Sequence, residues 1–457
     1  MMRTGLWKWL AIPALLFAVT AHAEVFEKTL HNGLRVVVKE DHRAPVVVQE
    51  VWYHVGSMDE WTGKTGVAHA LEHMMFKGTR SVPAGEFSKR IAAAGGRENA
   101  FTSYDYTAYF QQLHKSRLPL AMKLESDRMQ NLLVSDQEFA KEIKVVMEER
   151  RWRTDDEPHS LLSEQLMATL FEQHPYHHPV IGWMSDLQQL SADDVRAWYR
   201  RWYRPNNAVL VVAGDVNAKE VFALAQRYYG GIPQRPVPPT QNFSEPPQLG
   251  IKRIVVKAPA ELPYLIMAYH APTLRDPAHD WQPYALEVLA GILDGNDSAR
   301  LNKALVREQQ LASSVGAGYD PLARGPSIFT LEGTPSEGKT VADLEAGLRA
   351  QIGKLAKDGV SEDELKRVKA QVTASEVYKR DSVFYQAMQI GQLESIGLSY
   401  RDIPLMLQKL QEVTAQQVQQ VAREFFKDDN LTVAVLDPQP LSGKPRHMMQ
   451  EGGSNVR

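Results

Sequence analysis

The sequence predicts an α+β protein built from two related halves, and three observations carry that reading. The chain has 457 residues, more than one hydrophobic core usually serves. Near its middle, Gly230-Gly231-Ile232-Pro233-Gln234-Arg235-Pro236-Val237-Pro238-Pro239, followed by Pro246-Pro247, reads as a stiff polar linker. Residues 190–212 also overlay 413–435 without a gap, at an offset of 223. Ser191-Ala192-Asp193-Asp194-Val195 falls on Thr414-Ala415-Gln416-Gln417-Val418, Trp202-Tyr203 on Phe425-Phe426, and Asn207 on Asn430. Any capped helix leading into a strand would give part of this match, but a duplicated unit of about 200 residues accounts for all of it. The expected divisions are a leader over 1–23, a first domain over 24–232, the linker over 233–250, a second domain over 251–438 and a disordered tail over 439–457.

In the leader, Arg3 and Lys8 precede the apolar run 9–19, which closes on Ala21-His22-Ala23. This is the pattern of a secretory signal cut after Ala23. A membrane anchor is the alternative, but the run is short for a span of about 20 residues. The chain has no cysteine, so an exported form relies on ordinary cores, and any metal site must use His, Asp or Glu. A bacterial periplasm is the expected address. Losing Arg3 and Lys8 moves the formal net charge from −3 to −5, which argues against nucleic-acid binding. No stable membrane insertion is expected once the signal is removed.

The mature chain opens on a hairpin over 26–39 around the turn His31-Asn32-Gly33. A strand over 46–55 leads to a helix over 66–78, and a second helix over 87–94 stops at Gly95-Gly96. Residues 98–102 and 107–111 read as paired strands. Helical patterns follow over 118–133, 136–152, 161–171 and 192–203, and a β-branched strand closes the half over 208–213.

The helix over 66–78 carries His69-Ala70-Leu71-Glu72-His73. At about 100° per residue, His69, Glu72, His73 and Phe76 share one stripe, while Val67, Leu71 and Met74 lie opposite. Chance supplies this H-x-x-E-H spacing roughly 0.03 times per chain of this composition. Two imidazoles one turn apart suit a tetrahedral zinc site with a third protein ligand from elsewhere. The second half lacks the motif, so one Zn2+ per chain is expected. The cluster His174-Pro175-Tyr176-His177-His178 has no zinc-motif spacing and reads as a loop.

With these motifs in hand, the chain resembles the pitrilysin/insulinase superfamily of zinc peptidases, and in particular short bacterial members similar to the mitochondrial processing peptidase. The resemblance implies two homologous domains, each a mostly antiparallel sheet packed with helices. Periodicity alone does not separate Glu148 from Glu149. The resemblance selects Glu149, 76 residues after His73, as the third ligand, and Glu142, seven residues earlier, as a group that orients the site. It makes Glu72 the general base on a zinc-activated water. It places a bound peptide along Asn99, Ala100 and Phe101 by strand addition, although Phe101 also suits a hairpin core. It assigns Arg307 to substrate holding, with Ser313 or Ser314 where a tyrosine would be expected. That broken pair implies a homologous partner chain lacking the zinc motif, with a homodimer as the alternative. The activity implied is a periplasmic zinc endopeptidase of short or unfolded peptides. The competing readings are a non-catalytic subunit of a heteromeric assembly and a zinc-binding protein.

Overall fold

A computed structural model describes residues 25–239, 241 and 243–441. The expected leader over 1–23 lies outside the described residues, as does the part of the expected tail over 439–457 that follows 441, whereas Gln439 still belongs to a strand. The first sheet contains β1 (Val25–Thr29), β2 (Arg35–Glu40), β3 (Val46–Tyr53), β4 (Arg97–Thr102), β5 (Thr107–His114) and β6 (Ala208–Gly214). The second contains β7 (Lys252–Pro259), β8 (Tyr264–Ala271), β9 (Ala312–Tyr319), β10 (Ser327–Pro335) and β11 (Leu431–Gln439). Their orders are β1-β2-β6-β3-β5-β4 and β7-β11-β8-β10-β9. Without β1 the two orders coincide. Each has one parallel pair, β2 with β6 and β7 with β11, and is otherwise antiparallel. The internal repeat of the sequence is a repeat of topology.

Equivalent residues also do equivalent work in the two copies. Ser191 and Asp194 form a capping box on helix Ala192–Trp202, and Thr414 and Gln417 form one on helix Ala415–Glu424. Asn207 donates to the Trp202 carbonyl at 3.1 Å, and Asn430 to the Phe425 carbonyl at 2.8 Å. Each amide ties the helix end to the strand that follows. At the first hairpin, Gly33 has φ +83°. The buried Asn32 amide there donates to the carbonyls of Tyr229 and Ile232.

Period-2 alternation in β3 sends Val47, Val51 and Tyr53 into the core under the histidine helix, and Val48 and Trp52 to the opposite face. That opposite face is covered by a helix of the second half, Val383–Ser395, through Ala387 and Ile390. The approach is close: a Cβ on Gly391 would stand 2.1 Å from the Trp52 indole. The reverse also holds. Helix Pro158–Leu170 of the first half packs Leu162, Leu166 and Leu170 on Ala258, Ile266, Ala268, Ala434 and Leu436 of the second sheet. Each half thus lends a helix to the other's sheet. Ion pairs brace the exchange, among them Arg35–Glu394 at 2.5 Å and Arg324–Asp59 at 2.8 Å.

Two local expectations shift. The histidine helix spans Val67–Met74 and stops before Gly78, because the amides of Phe76 and Lys77 bond only three residues back, to His73 and Met74. The described part of the proline-rich segment has no regular structure, yet it is pinned. Glu245 accepts the amides of Gln173 and His174 at 3.1 and 2.9 Å. Among the described residues, no helix is long and apolar enough to cross a membrane.

Candidate metal centre

The histidine helix starts after Gly66, whose φ of +87° a side chain would resist. It buries Val67, Ala68, Ala70, Leu71 and Met74 in the first core. Its other stripe presents His69, Glu72 and His73 to the helix Asp136–Arg150, which Ser135 caps by accepting the Glu138 amide. This crossing turns two distant sequence motifs into one site.

Glu149 Oε2 lies 3.2 Å from His73 Nε2 and 4.0 Å from His69 Nε2. The three ligand atoms all fall within 4.8 Å of one another. Ligands about 2.0–2.1 Å from a tetrahedral zinc stand roughly 3.3 Å apart, so this donor set fits zinc after small adjustments. Glu148 faces solvent and pairs with Arg151, which separates the two adjacent carboxylates that periodicity could not. Glu142 accepts from His73 Nδ1 at 3.0 Å and is paired with Lys77 at 2.6 Å. It thereby aims His73 Nε2 at Glu149.

The electrostatics suit a divalent cation. Burial pushes His69 down to about 3, helped by its neighbour His73, so its ring is neutral and able to donate a lone pair. Burial would lower His73 as well, but hydrogen bonds to Glu142 and Glu149 outweigh it and raise it to about 9. Burial opposes ionisation of Glu149, yet His73, His69 and Arg153 hold it down at about 2. A neutral His69 and an ionised Glu149 are the deprotonated forms that ligation needs.

Glu72 stands beside this group. Burial raises its pKa, and the Thr102 hydroxyl, donating at 2.5 Å, opposes that rise. Thr102 belongs to β4, the edge of the first sheet. Alternation places Glu98, Ala100 and Thr102 on the histidine side of β4, and Asn99 and Phe101 on the other. The Phe101 ring accordingly packs edge-on to Trp52 at 5.4 Å, away from the histidines. Asn99 Oδ1 accepts the Ala100 amide. A cleft of about 1060 Å³ runs from Glu72 and His73 past Phe76, Glu98, Asn99 and Glu142, and Phe384 of the second half completes its wall.

The structure does not bring Arg307 to this cleft. It sits on the π-helix Asn302–Glu308, bonded to the Asp297 carbonyl, in a separate hollow with Arg300, Lys303 and Arg367. Ser313 donates to the Thr334 carbonyl instead of facing the histidines. The His174–His178 cluster also lies apart. Burial pushes His174 and His178 down to about 4, and Tyr176 between them bonds Asp105 and accepts the Gly325 amide, joining the halves. Sequence reasoning passed over Lys77, Arg153 and Thr102. Lys77 and Arg153 stand four residues after His73 and Glu149, a spacing that could have exposed them. Thr102 is brought in by the sheet and has no local signal.

Residues 35–182 match the family model of the insulinase (peptidase family M16) group, and 189–372 match the peptidase M16 inactive domain. A zinc protease of Helicobacter pylori, PqqE, is 32% identical over 417 residues, covering 90% of this chain and 92% of its own. The chain belongs to peptidase family M16. A protease from Helicobacter pylori of known crystal structure superposes with a TM-score of 0.86 at 31% identity, over 91% of this M16 chain and 100% of that one. The periplasmic protease PqqL of Escherichia coli shares the fold, with a TM-score of 0.78 at 20% identity. It is matched over only 48% of its length, against 91% of this chain. Further relatives are named zinc proteases, including one from Mycobacterium leprae at 30% identity over 424 residues. In this M16 chain the match to the inactive domain covers much of the half that lacks the histidine pair.

Proposed function

We propose that the chain is a periplasmic zinc endopeptidase acting on short or unfolded peptides. The observation that carries this reading is the meeting of His69, His73 and Glu149 beside Glu72, at the open edge of a sheet. A zinc held there supplies Lewis-acid polarisation and lowers the pKa of water.

The chain's own residues do the rest. The main-chain edge of β4, at Asn99, Ala100 and Phe101, holds an extended peptide by strand addition. Glu72, its pKa raised by burial, accepts a proton from the attacking water and passes it to the leaving amine. Thr102 fixes one oxygen of Glu72, which leaves the other for that transfer. Glu142 and Lys77 hold His73 in the orientation that ligation needs.

The periplasmic address rests on the leader sequence. A homologous partner chain without the zinc motif fits the placement of Arg307 outside the cleft. It also fits the existence of a same-fold chain from Pseudomonas fluorescens described as a peptidase M16 inactive domain, 18% identical with a TM-score of 0.81.

Glu72→Gln tests the reading. The variant should keep one zinc per chain by elemental analysis and lose about 10²–10⁴-fold in cleavage of an unfolded polypeptide. Undiminished cleavage would remove Glu72 from the chemistry, and a wild-type protein that takes up no zinc would end the proposal.

A further inference from the structure

Two adjacent acids tie the histidine helix to the half that carries no metal motif. The helix begins after Gly66, which has no side chain to meet the first amides. Glu60, its side chain fully buried, does so instead: Oε2 accepts the Gly66 amide at 2.9 Å and Oε1 the Ala68 amide at 2.8 Å. His69 follows directly, so the place of Glu60 sets the start of the helix that carries both imidazoles. Among the described residues no lysine or arginine pairs with Glu60, and burial pushes the His178 imidazole, 3.8 Å away, down to about 4. The positive end of the helix is what meets its charge. Its position is fixed through its own main chain.

The neighbouring Asp59 supplies that anchor. It ends the short turn Ser57–Asp59 and takes both prongs of Arg324 from the second half, Nη1 to Oδ2 at 2.8 Å and Nη2 to Oδ1 at 3.1 Å. The two side chains are only 12% and 7% exposed, which strengthens the pair. Arg324 is fixed in turn: its amide and Nη1 donate to Asp105 Oδ2 and to the Asp105 carbonyl, both at 3.0 Å. Asp105 lies between β4 and β5, and Arg324 in the matching turn between β9 and β10. The amides of Ser57 and Met58 donate to the carbonyls of Ser103 and Tyr104, so the segment leading to Glu60 rests on the same turn.

We propose that Arg324 is a positioning residue of the metal centre, acting through Asp59 and Glu60 on the first turn of the histidine helix. This rests on the zinc-peptidase reading and deepens it: the half without the motif helps to aim the ligands of the half that has it.

Zinc affinity, measured by competition with a chromogenic chelator at a temperature where circular dichroism shows every variant folded, tests this without turnover. Arg324→Gln should weaken zinc binding about tenfold, and Glu60→Gln by a similar factor. The double variant should lose no more than the larger single loss, because both residues act on one connection. Arg35→Gln breaks a different ion pair between the halves, to Glu394, and should leave zinc affinity unchanged.

Unchanged affinity in either single variant overturns the inference. So do losses that multiply to about 100-fold in the double variant, which would make the two residues independent. An equal loss in Arg35→Gln also overturns it, since any loosening of the halves would then suffice. Should a variant fail to fold, Asp59→Asn stands in for Arg324→Gln and Glu60→Asp for Glu60→Gln, with the same expectations. A wild-type chain whose zinc affinity follows this pattern but which cleaves nothing would sink the peptidase reading and leave this one standing. Cleavage by a chain whose affinity is indifferent to Arg324 would do the opposite.

Discussion

The helix Val67–Met74 and the helix Trp281–Asp294 occupy the same place in the two halves. Each follows the strand beside the closing one, β3 or β8, and packs against the capped helix, Ala192–Trp202 or Ala415–Glu424. The first has 8 residues and turns two imidazoles and a carboxylate outward. The second has 14 residues and buries Tyr284, Leu286, Val288, Leu289, Ile292 and Leu293. Its one acidic side chain before Asp294 is Glu287, which burial pushes up to about 7, with Glu376 and Asp320 adding. One scaffold therefore tolerates a cluster able to hold a metal or an apolar packing helix at the same spot. The lesson is that chemistry here is set by side-chain identity at a few positions, not by topology.

The largest expected effect removes the contrast at its source. His69→Ala should abolish bound zinc in elemental analysis and take peptide cleavage to background, while thermal unfolding shows a folded chain. Next in size is the exchange that both halves share. Leu162→Ala, at a fully buried side chain on the second sheet, should cost about 2–5 kcal/mol in denaturant unfolding. If the exchange is symmetric in energy as in form, Ile390→Ala on the first sheet should cost a similar amount.

Glu142→Gln acts on one half only. By loosening the hold on His73 Nδ1 it should weaken zinc affinity about 10–100-fold, read by competition with a chelator, with little change in unfolding. A further effect, seen only along the pH axis, concerns Glu50, fully buried on the first sheet beneath the lent helix. Burial raises its pKa to about 8 against a bond from Trp52 Nε1 at 2.8 Å. An acid raised on folding holds its proton longer in the native state, so stability falls as pH rises from about 4.3 towards 8. Glu50→Gln should flatten that stretch of the stability–pH curve, and an unchanged slope would mean that the acid ionises in place.

Much of this was legible before any coordinates. The imidazole pair needed only the 3.6-residue period, and the repeat was visible because Ser191, Asn207 and their equivalents do local jobs that demand particular residue types. Glu149 could be separated from Glu148 only through family resemblance. A helix period shows which residues share a face, not what that face meets. Pro158–Leu170 and Val383–Ser395 escaped for the same reason. The helical pattern over 161–171 was plain and Val383–Ser395 drew no reading, and which sheet each would cover depends on the path of the whole chain. Arg307 was placed by analogy, and its local surroundings, the Asp297 carbonyl and a basic hollow, drew it elsewhere.

The traded helices have a consequence for how this gene can be divided. Cutting it at the proline-rich segment would yield two fragments, each missing the cover of its own sheet and carrying a greasy helix meant for its sibling. Made alone, either fragment should precipitate; made together, they should reassemble without a covalent join. A duplication fixed in this form is hard to undo, because neither descendant can be deleted while the other survives.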